Sequence, residues 1–135
     1  MPTMKSLDTL IRLKRFQAEE KRRHLAQIET MIADFDRMAR DLEREIEAEE
    51  QRSGITDTQH FAYSTYARAA ATRRDNMRRS ADELKGQLSE ARLALDDALD
   101  ELKKIEALGE RERIEAPVEM TPRNIAGRAR AVLGA

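Results

Sequence analysis

The sequence predicts an all-α protein in which two long helices form an antiparallel coiled-coil hairpin, followed by a flexible C-terminal tail. Three observations lead there. First, the 135 residues include no Cys, no Trp and only 4% aromatics, while 38% are Asp, Glu, Lys or Arg, too little bulky apolar matter for a compact single-core globule. Second, apolar residues recur at alternating steps of four and three along two stretches, which keeps one seam of a helix turned toward a partner. Third, the two stretches are separated by a short break at Ser53-Gly54, and a short connection makes neighbouring helices antiparallel.

Composition also narrows the function classes. Lys and Arg total 25 against 26 Asp and Glu, a formal net charge of -1, so the whole chain has no electrostatic drive toward nucleic acid or an anionic membrane. Without Cys there is no disulfide scaffold and no thiolate metal site. No apolar run approaches the length of a membrane span or a signal peptide, and the expectation is a soluble cytoplasmic protein.

Residues 1–5 are read as an N-terminal extension and residues 6–52 as helix one. Ser6 is the candidate cap, with Asp8 in the first turn. The seam of helix one is Leu7, Ile11, Lys14, Ala18, Lys21, Leu25, Ile28, Ile32, Phe35, Ala39, Leu42 and Ile46, with Lys14 and Lys21 its two polar members. A polar residue in a seam sets register at some cost in stability, or else waits for a partner.

Residues 53–56 are the expected turn, with Gly54 as stop. Thr56 and Gln59 have the spacing of a capping box, so helix two is placed over 57–108. Its seam runs Tyr63, Ala67, Ala70, Arg74, Met77, Ala81, Leu84, Leu88, Ala91, Leu95, Ala98, Leu102 and Ile105, with Arg74 the single charge. Folding back near Ile55 sets Leu42 against Ala67, Ile28 against Ala81, Ile11 against Ala98 and Leu7 against Leu102. Large residues then face small ones. The basic stretch 12–23 comes opposite the more acidic stretch 86–97, whereas a parallel self-pair would stack the basic block on itself. A monomeric hairpin is therefore expected.

Residues 109–135 are read as the tail, because Gly109, Pro117, Pro122, Gly127 and Gly134 interrupt any long repeat. Within it, Thr121-Pro122 is a helix-start signal, and Ile125, Ala129, Val132 and Leu133 give a candidate short helix over 122–133 one apolar face.

Catalytic signatures are missing. There is no phosphate-cradling glycine loop, no nucleophile elbow and no His-Glu-x-x-His segment, and the two histidines, His24 and His60, are far apart. A two-helix hairpin offers no water-excluding pocket for its carboxylates to act in. No enzyme activity, cofactor or metal is expected. The remaining candidates are protein-binding residues: Arg12, Arg15, Arg22 and Arg23 at the terminal end, Met31 and Met38 on a flank, and Phe61 and Tyr66 at the tip. Arginines, methionines and exposed aromatics are the usual anchors of protein interfaces. A further cluster, Arg68, Arg73, Arg74, Arg78 and Arg79, has no interleaved aromatics for stacking bases, and no nucleic-acid partner is expected.

Three stretches, Lys5-Ser-Leu-Asp-Thr-Leu-Ile-Arg-Leu-Lys-Arg-Phe-Gln17, Glu20-Lys-Arg-Arg23 and His60-Phe-Ala-Tyr-Ser-Thr-Tyr-Ala-Arg68, resemble the FliJ family of flagellar export proteins in its alphaproteobacterial form. The resemblance covers about Met4 to Leu108, starting at Met4-Lys5-Ser6. It implies an antiparallel coiled coil similar to the rotor stalk of rotary ATPases, inserted in the hexameric flagellar export ATPase. It also implies contacts with the cytoplasmic part of the membrane export gate and with export chaperones, at the base of the flagellum. Pro117 and Pro122 depart from it, since the family's second helix would continue there. A free-standing helical-hairpin chaperone or adaptor, gripping clients at its tip, is the alternative.

Overall fold

The computed structural model describes residues 4–115, which form two helices, α1 (Met4–Ser53, 50 residues) and α2 (Thr65–Glu115, 51 residues), packed along their length as an antiparallel hairpin. Among the described residues there is no strand. Met1 to Thr3 and residues 116–135, with the candidate helix over 122–133, lie outside the described residues.

The end of α1 follows the sequence signal. Gly54 adopts the left-handed conformation (φ +74°) and its N–H donates to the Glu50 carbonyl at 2.9 Å, closing the last turn in a geometry that glycine accepts without steric cost. The Ser53 hydroxyl then accepts the Ile55 N–H at 3.1 Å. α1 begins slightly earlier than expected, at Met4 rather than Ser6.

The start of α2 differs from the expectation. The Gln59 N–H, which the proposed capping box would give to Thr56, goes to Asp57 Oδ1 at 2.9 Å. That local bond makes an Asx turn, a competitor to helix that short polar side chains favour. Two further turns follow, with the His60 N–H donating to the Asp57 carbonyl (3.1 Å) and the Tyr63 N–H to the His60 carbonyl (3.0 Å). The effective cap is Ser64, whose hydroxyl accepts the Ala67 N–H at 3.1 Å. The connection therefore spans residues 54–64 instead of 53–56.

The other end of α2 also runs further than predicted, to Glu115, with Gly109 inside it. Gly109 is four residues beyond Ile105 and so prolongs the seam. A Cβ there would lie 3.0 Å from Ile11 Cδ1, so the residue taken as a helix breaker serves as the contact that lets the two helices close at their terminal end.

Seam membership agrees with the periodicity. The buried apolar residues, among them Leu7, Ile11, Ala18, Ile28, Ala39, Leu42 and Ile46 of α1 and Ala67, Ala70, Ala81, Leu84, Ala91 and Leu95 of α2, all belong to the two predicted series. Tyr63, a predicted seam member, is buried with Leu42, Ile46, Ala67 and Ala70 and seals the tip, although it precedes α2. Of the seam lysines, Lys14 is half-buried and bonds to Glu101 at 2.9 Å, while Lys21 is exposed.

The pairing register is a correction. Ile28 clusters with Leu84, Leu88 and Ala91, and Ile11 lies under Gly109, about one heptad further along α2 than the predicted partners Ala81 and Ala98. The flanking charges explain the choice. At seven-residue spacing one flank of α1 carries Asp8, Arg15, Arg22, Glu29, Asp36 and Glu43, and in this register they fall opposite Arg113, Glu106, Leu99, Arg92, Lys85 and Arg78. Asp8–Arg113 (3.5 Å), Arg15–Glu106 (3.0 Å) and Glu43–Arg78 (3.6 Å) are direct ion pairs. One heptad earlier, Asp8 would meet Glu106 and Arg22 would meet Arg92, and only Glu29 with Lys85 and Asp36 with Arg78 would remain opposite in charge, so attraction is lost and like-charge contacts are gained.

A helix of 50 residues is about 75 Å long at 1.5 Å per residue. Small-angle scattering of the full chain is expected to give a rod-like profile with a maximum dimension of at least about 70 Å; a compact globular profile would contradict the hairpin.

Candidate protein-interaction surfaces

The predicted interaction residues are distributed along the hairpin in three places, and the structure does not bring them together. Arg12, Arg15, Arg22 and Arg23 are exposed on α1 near the terminal end, where the start of α1 and the last turns of α2 lie side by side. Three of the four have carboxylate partners: Arg15 with Glu106 (3.0 Å), Arg22 with Glu19 (3.5 Å) and Arg23 with Glu20 (2.7 Å). Arg12 has no ion-pair partner among the described residues. Exposed pairs of this kind exchange readily for intermolecular partners because water already screens them.

The same region exposes three large apolar residues outside the candidate set, Leu13 and Phe16 on α1 and Ile114 on the last turn of α2. Phe16 is 58% exposed and Leu13 is about half-exposed. Their signal was present, since both are apolar yet fall outside the four-three alternation, and an apolar side chain off the seam of a two-helix protein has nothing to bury it. With Arg12 they form a mixed apolar and basic outer face on the first turns of α1.

Met31 and Met38 are each partly exposed, one heptad apart on the flank opposite the ion-paired one. They stand beside the core cluster and do not broaden it into a second seam.

At the tip, Phe61 is 95% exposed and stacks on His60, with ring centroids 4.8 Å apart and planes inclined by 22°. His60 Nδ1 accepts the Ala62 N–H at 3.0 Å, so the imidazole is anchored to the backbone that carries the phenyl ring. Arg68 holds the loop from the α2 side, donating to the Thr58 carbonyl at 3.1 Å with its guanidinium carbon 5.5 Å from the Tyr63 ring centre. Tyr66 is half-exposed on the first turn of α2. The tip therefore presents an aromatic side chain from a hydrogen-bonded loop, which reduces the ordering cost of an anchor residue on binding.

The arginine cluster of α2 is largely engaged within the hairpin. Arg74 lies 2.6 Å from Glu43 and 3.1 Å from Asp75, Arg78 reaches the same Glu43, and Arg79 bonds to Asn76 at 3.5 Å. The hydrogen bond that Arg74 donates to Glu43, followed by the one it donates to Asp75, holds its guanidinium above its ordinary pKa against the effect of burial. At the terminal end the Lys14 ammonium, hydrogen-bonded to Glu101, holds that carboxyl below the usual range.

Among the described residues no group of three or more His, Cys, Asp or Glu side chains is placed to hold a metal ion, and no helix is long and apolar enough to cross a membrane. Comparison with protein-family models, with curated proteins and with solved structures found no match for this chain.

Proposed function

We propose that this chain is a non-enzymatic component of flagellar protein export, a coiled-coil stalk standing within a hexameric export ATPase. In this reading it couples that ATPase to the cytoplasmic part of the membrane export gate and to export chaperones, at the base of the flagellum. ATP hydrolysis belongs to the partner. The observation that carries the reading is the terminal end, where Arg12, Leu13 and Phe16 form an exposed basic and apolar face on a narrow two-helix rod. The same residues lie within the first stretch that resembles the FliJ family. A stalk in a ring has to be slim and stiff, with side chains on its outer face that the ring can grip, and a hairpin sealed by interhelix ion pairs meets those mechanical needs.

The test is capture of the full chain by a hexameric export ATPase. Reversing Arg12, Arg15, Arg22 and Arg23 to Glu is expected to weaken capture by on the order of tenfold or more while circular dichroism stays helical, because rim charges govern encounter and specificity and the seam carries stability. Stimulation of the ATPase and flagellar secretion should fall with it. Phe61→Ala and Tyr66→Ala should leave ring capture intact and reduce only gate or chaperone contacts. If the tip variants alone abolish ring capture, the hairpin enters the ring by its tip.

One observation favours a second reading, a free-standing hairpin chaperone or adaptor: the near-complete exposure of Phe61 on a hydrogen-bonded loop. Absence of any ATPase capture, together with loss of client binding in Phe61→Ala, would select it.

A further inference from the structure

The two flanks of the hairpin differ in a way the stalk reading does not use. One is closed by the interhelix ion pairs of Asp8, Arg15 and Glu43. On the other, the corresponding α1 positions from the terminal end upward are Leu10, Gln17, His24, Met31, Met38 and Glu45, uncharged as far as Met38, and the interhelix ion pair on this side is Lys14 with Glu101 at 2.9 Å. Here the helices leave a shallow groove of about 420 Å³ between Gln17, Ala94 and Ala98, which continues past Lys21 into a second of about 350 Å³ between His24, Gln87 and Ala91. Small side chains on α2 form its floor. Its α2 rim carries Glu90, Asp97 and Glu101, facing Lys21 on α1; Glu101 is paired with Lys14, and neither Glu90 nor Asp97 has an ion-pair partner among the described residues.

We infer that this groove is the docking site of the chain's own C-terminal segment, residues 116–135. Three properties of that segment single it out as the occupant. The segment bears Arg123, Arg128 and Arg130 against the single acid Glu119, the sign that the Glu90 and Asp97 rim lacks. Its apolar residues Ile125, Ala129, Val132 and Leu133 fall at helical spacing, forming a stripe with Arg128 on one side and Arg130 on the other. That layout matches an apolar floor bordered by acids. Finally, the length fits. From Glu115 back to Ala98 is about 26 Å along α2. Residues 116–121, extended, span up to about 20 Å, and residues 122–133 as a helix add about 18 Å, so a segment folded back along α2 covers the groove from about Glu101 to about Glu90. A helix of that length is marginal alone and forms when an apolar face is buried, which the groove supplies. The docked segment would give the hairpin a third helix at its terminal half, and any partner helix entering this flank would have to displace it.

The absence of Cys permits a direct experiment on the full chain. A nitroxide attached through Ala126→Cys is expected to broaden the backbone amide signals of residues 90–101, reducing their intensity by half or more, and to leave those of residues 63–75 unchanged. The paired reversal Glu90→Lys with Asp97→Lys, at exposed positions off the seam, should restore the intensities, as should Arg128→Glu with Arg130→Glu on the segment itself. Absence of broadening in the parent, or broadening that survives both reversals unchanged, would overturn the inference. So would broadening that appears between spin-labelled and isotope-labelled copies in a mixed sample, since the occupant would then be a second chain.

Discussion

Ile28→Asp in the full chain is expected to abolish cooperative folding of the hairpin, seen as loss of most of the helical circular dichroism at 25 °C or a melting transition displaced far downward. Ile28 is only 3% exposed and packs in one cluster with Leu84 and Ala91, bordered by Leu25, Ile32, Phe35 and Leu88. Substitution removes a buried aliphatic side chain, at about 2–5 kcal/mol, and leaves a carboxylate with no partner in the seam, at a further cost of a few kcal/mol. A domain's whole stability is about 5–15 kcal/mol, and a hairpin with one narrow seam has no second core to fall back on. Leu84→Asp, on the opposite wall of the same cluster, should act alike. Glu47→Ala, at an exposed position away from the seam, should stay within about 0.5 kcal/mol of the parent. Equal losses in all three would mean that the cluster does not carry the stability assigned to it.

Arg74 is expected to respond in opposite senses to two replacements. It holds a seam position with its side chain 20% exposed, and its guanidinium bridges Glu43 at 2.6 Å and Asp75 at 3.1 Å. Arg74→Glu would set a third carboxylate between those two and should destabilise by about 2–4 kcal/mol, the usual scale for an uncompensated charge in a partly buried pair. Arg74→Leu removes the charge but completes the apolar seam, and the desolvation relieved offsets the pair lost, so stability should remain within about 1 kcal/mol of the parent or rise. The cost of Arg74→Leu is specificity: with its only charged seam residue gone, α2 has less to hold it in one heptad alignment. Thermal melts report the stabilities, and analytical ultracentrifugation reports any new oligomer. A loss in Arg74→Leu as large as in Arg74→Glu would show that the bridge, and not the absence of repulsion, stabilises this part of the hairpin.

The exposure of the candidate residues was partly legible from residue type and spacing. Phe61 and Tyr66 could not both enter the seam, and both are exposed. Phe16 and Leu13 were equally legible as apolar residues off the alternation, set among the basic residues Arg12, Lys14 and Arg15. What was not legible is how far each arginine is already engaged. Arg12 and Arg15 are three residues apart in one basic run, but only Arg15 has an acid opposite it, Glu106 at 3.0 Å, and that depends on the alignment of α2.

The sequence by itself determined the all-helical class, the stop at Gly54 and the membership of both seams, because each rests on local chemistry or on a periodicity that every helical turn repeats. Only the tertiary structure decided where α2 begins and which heptads meet. Moving one helix by seven residues returns every seam residue to the seam, so the apolar pattern that specifies the hairpin is blind to its alignment. The decision falls to features separated in the chain and joined in space: Asp8 with Arg113, Arg15 with Glu106, Glu43 with Arg74 and Arg78, and Ile11 beneath Gly109. Asp57 shows the same limit at short range. Its side chain took the Gln59 N–H and moved the helix start to Ser64-Thr65, lengthening the connection to suit an alignment one heptad further along.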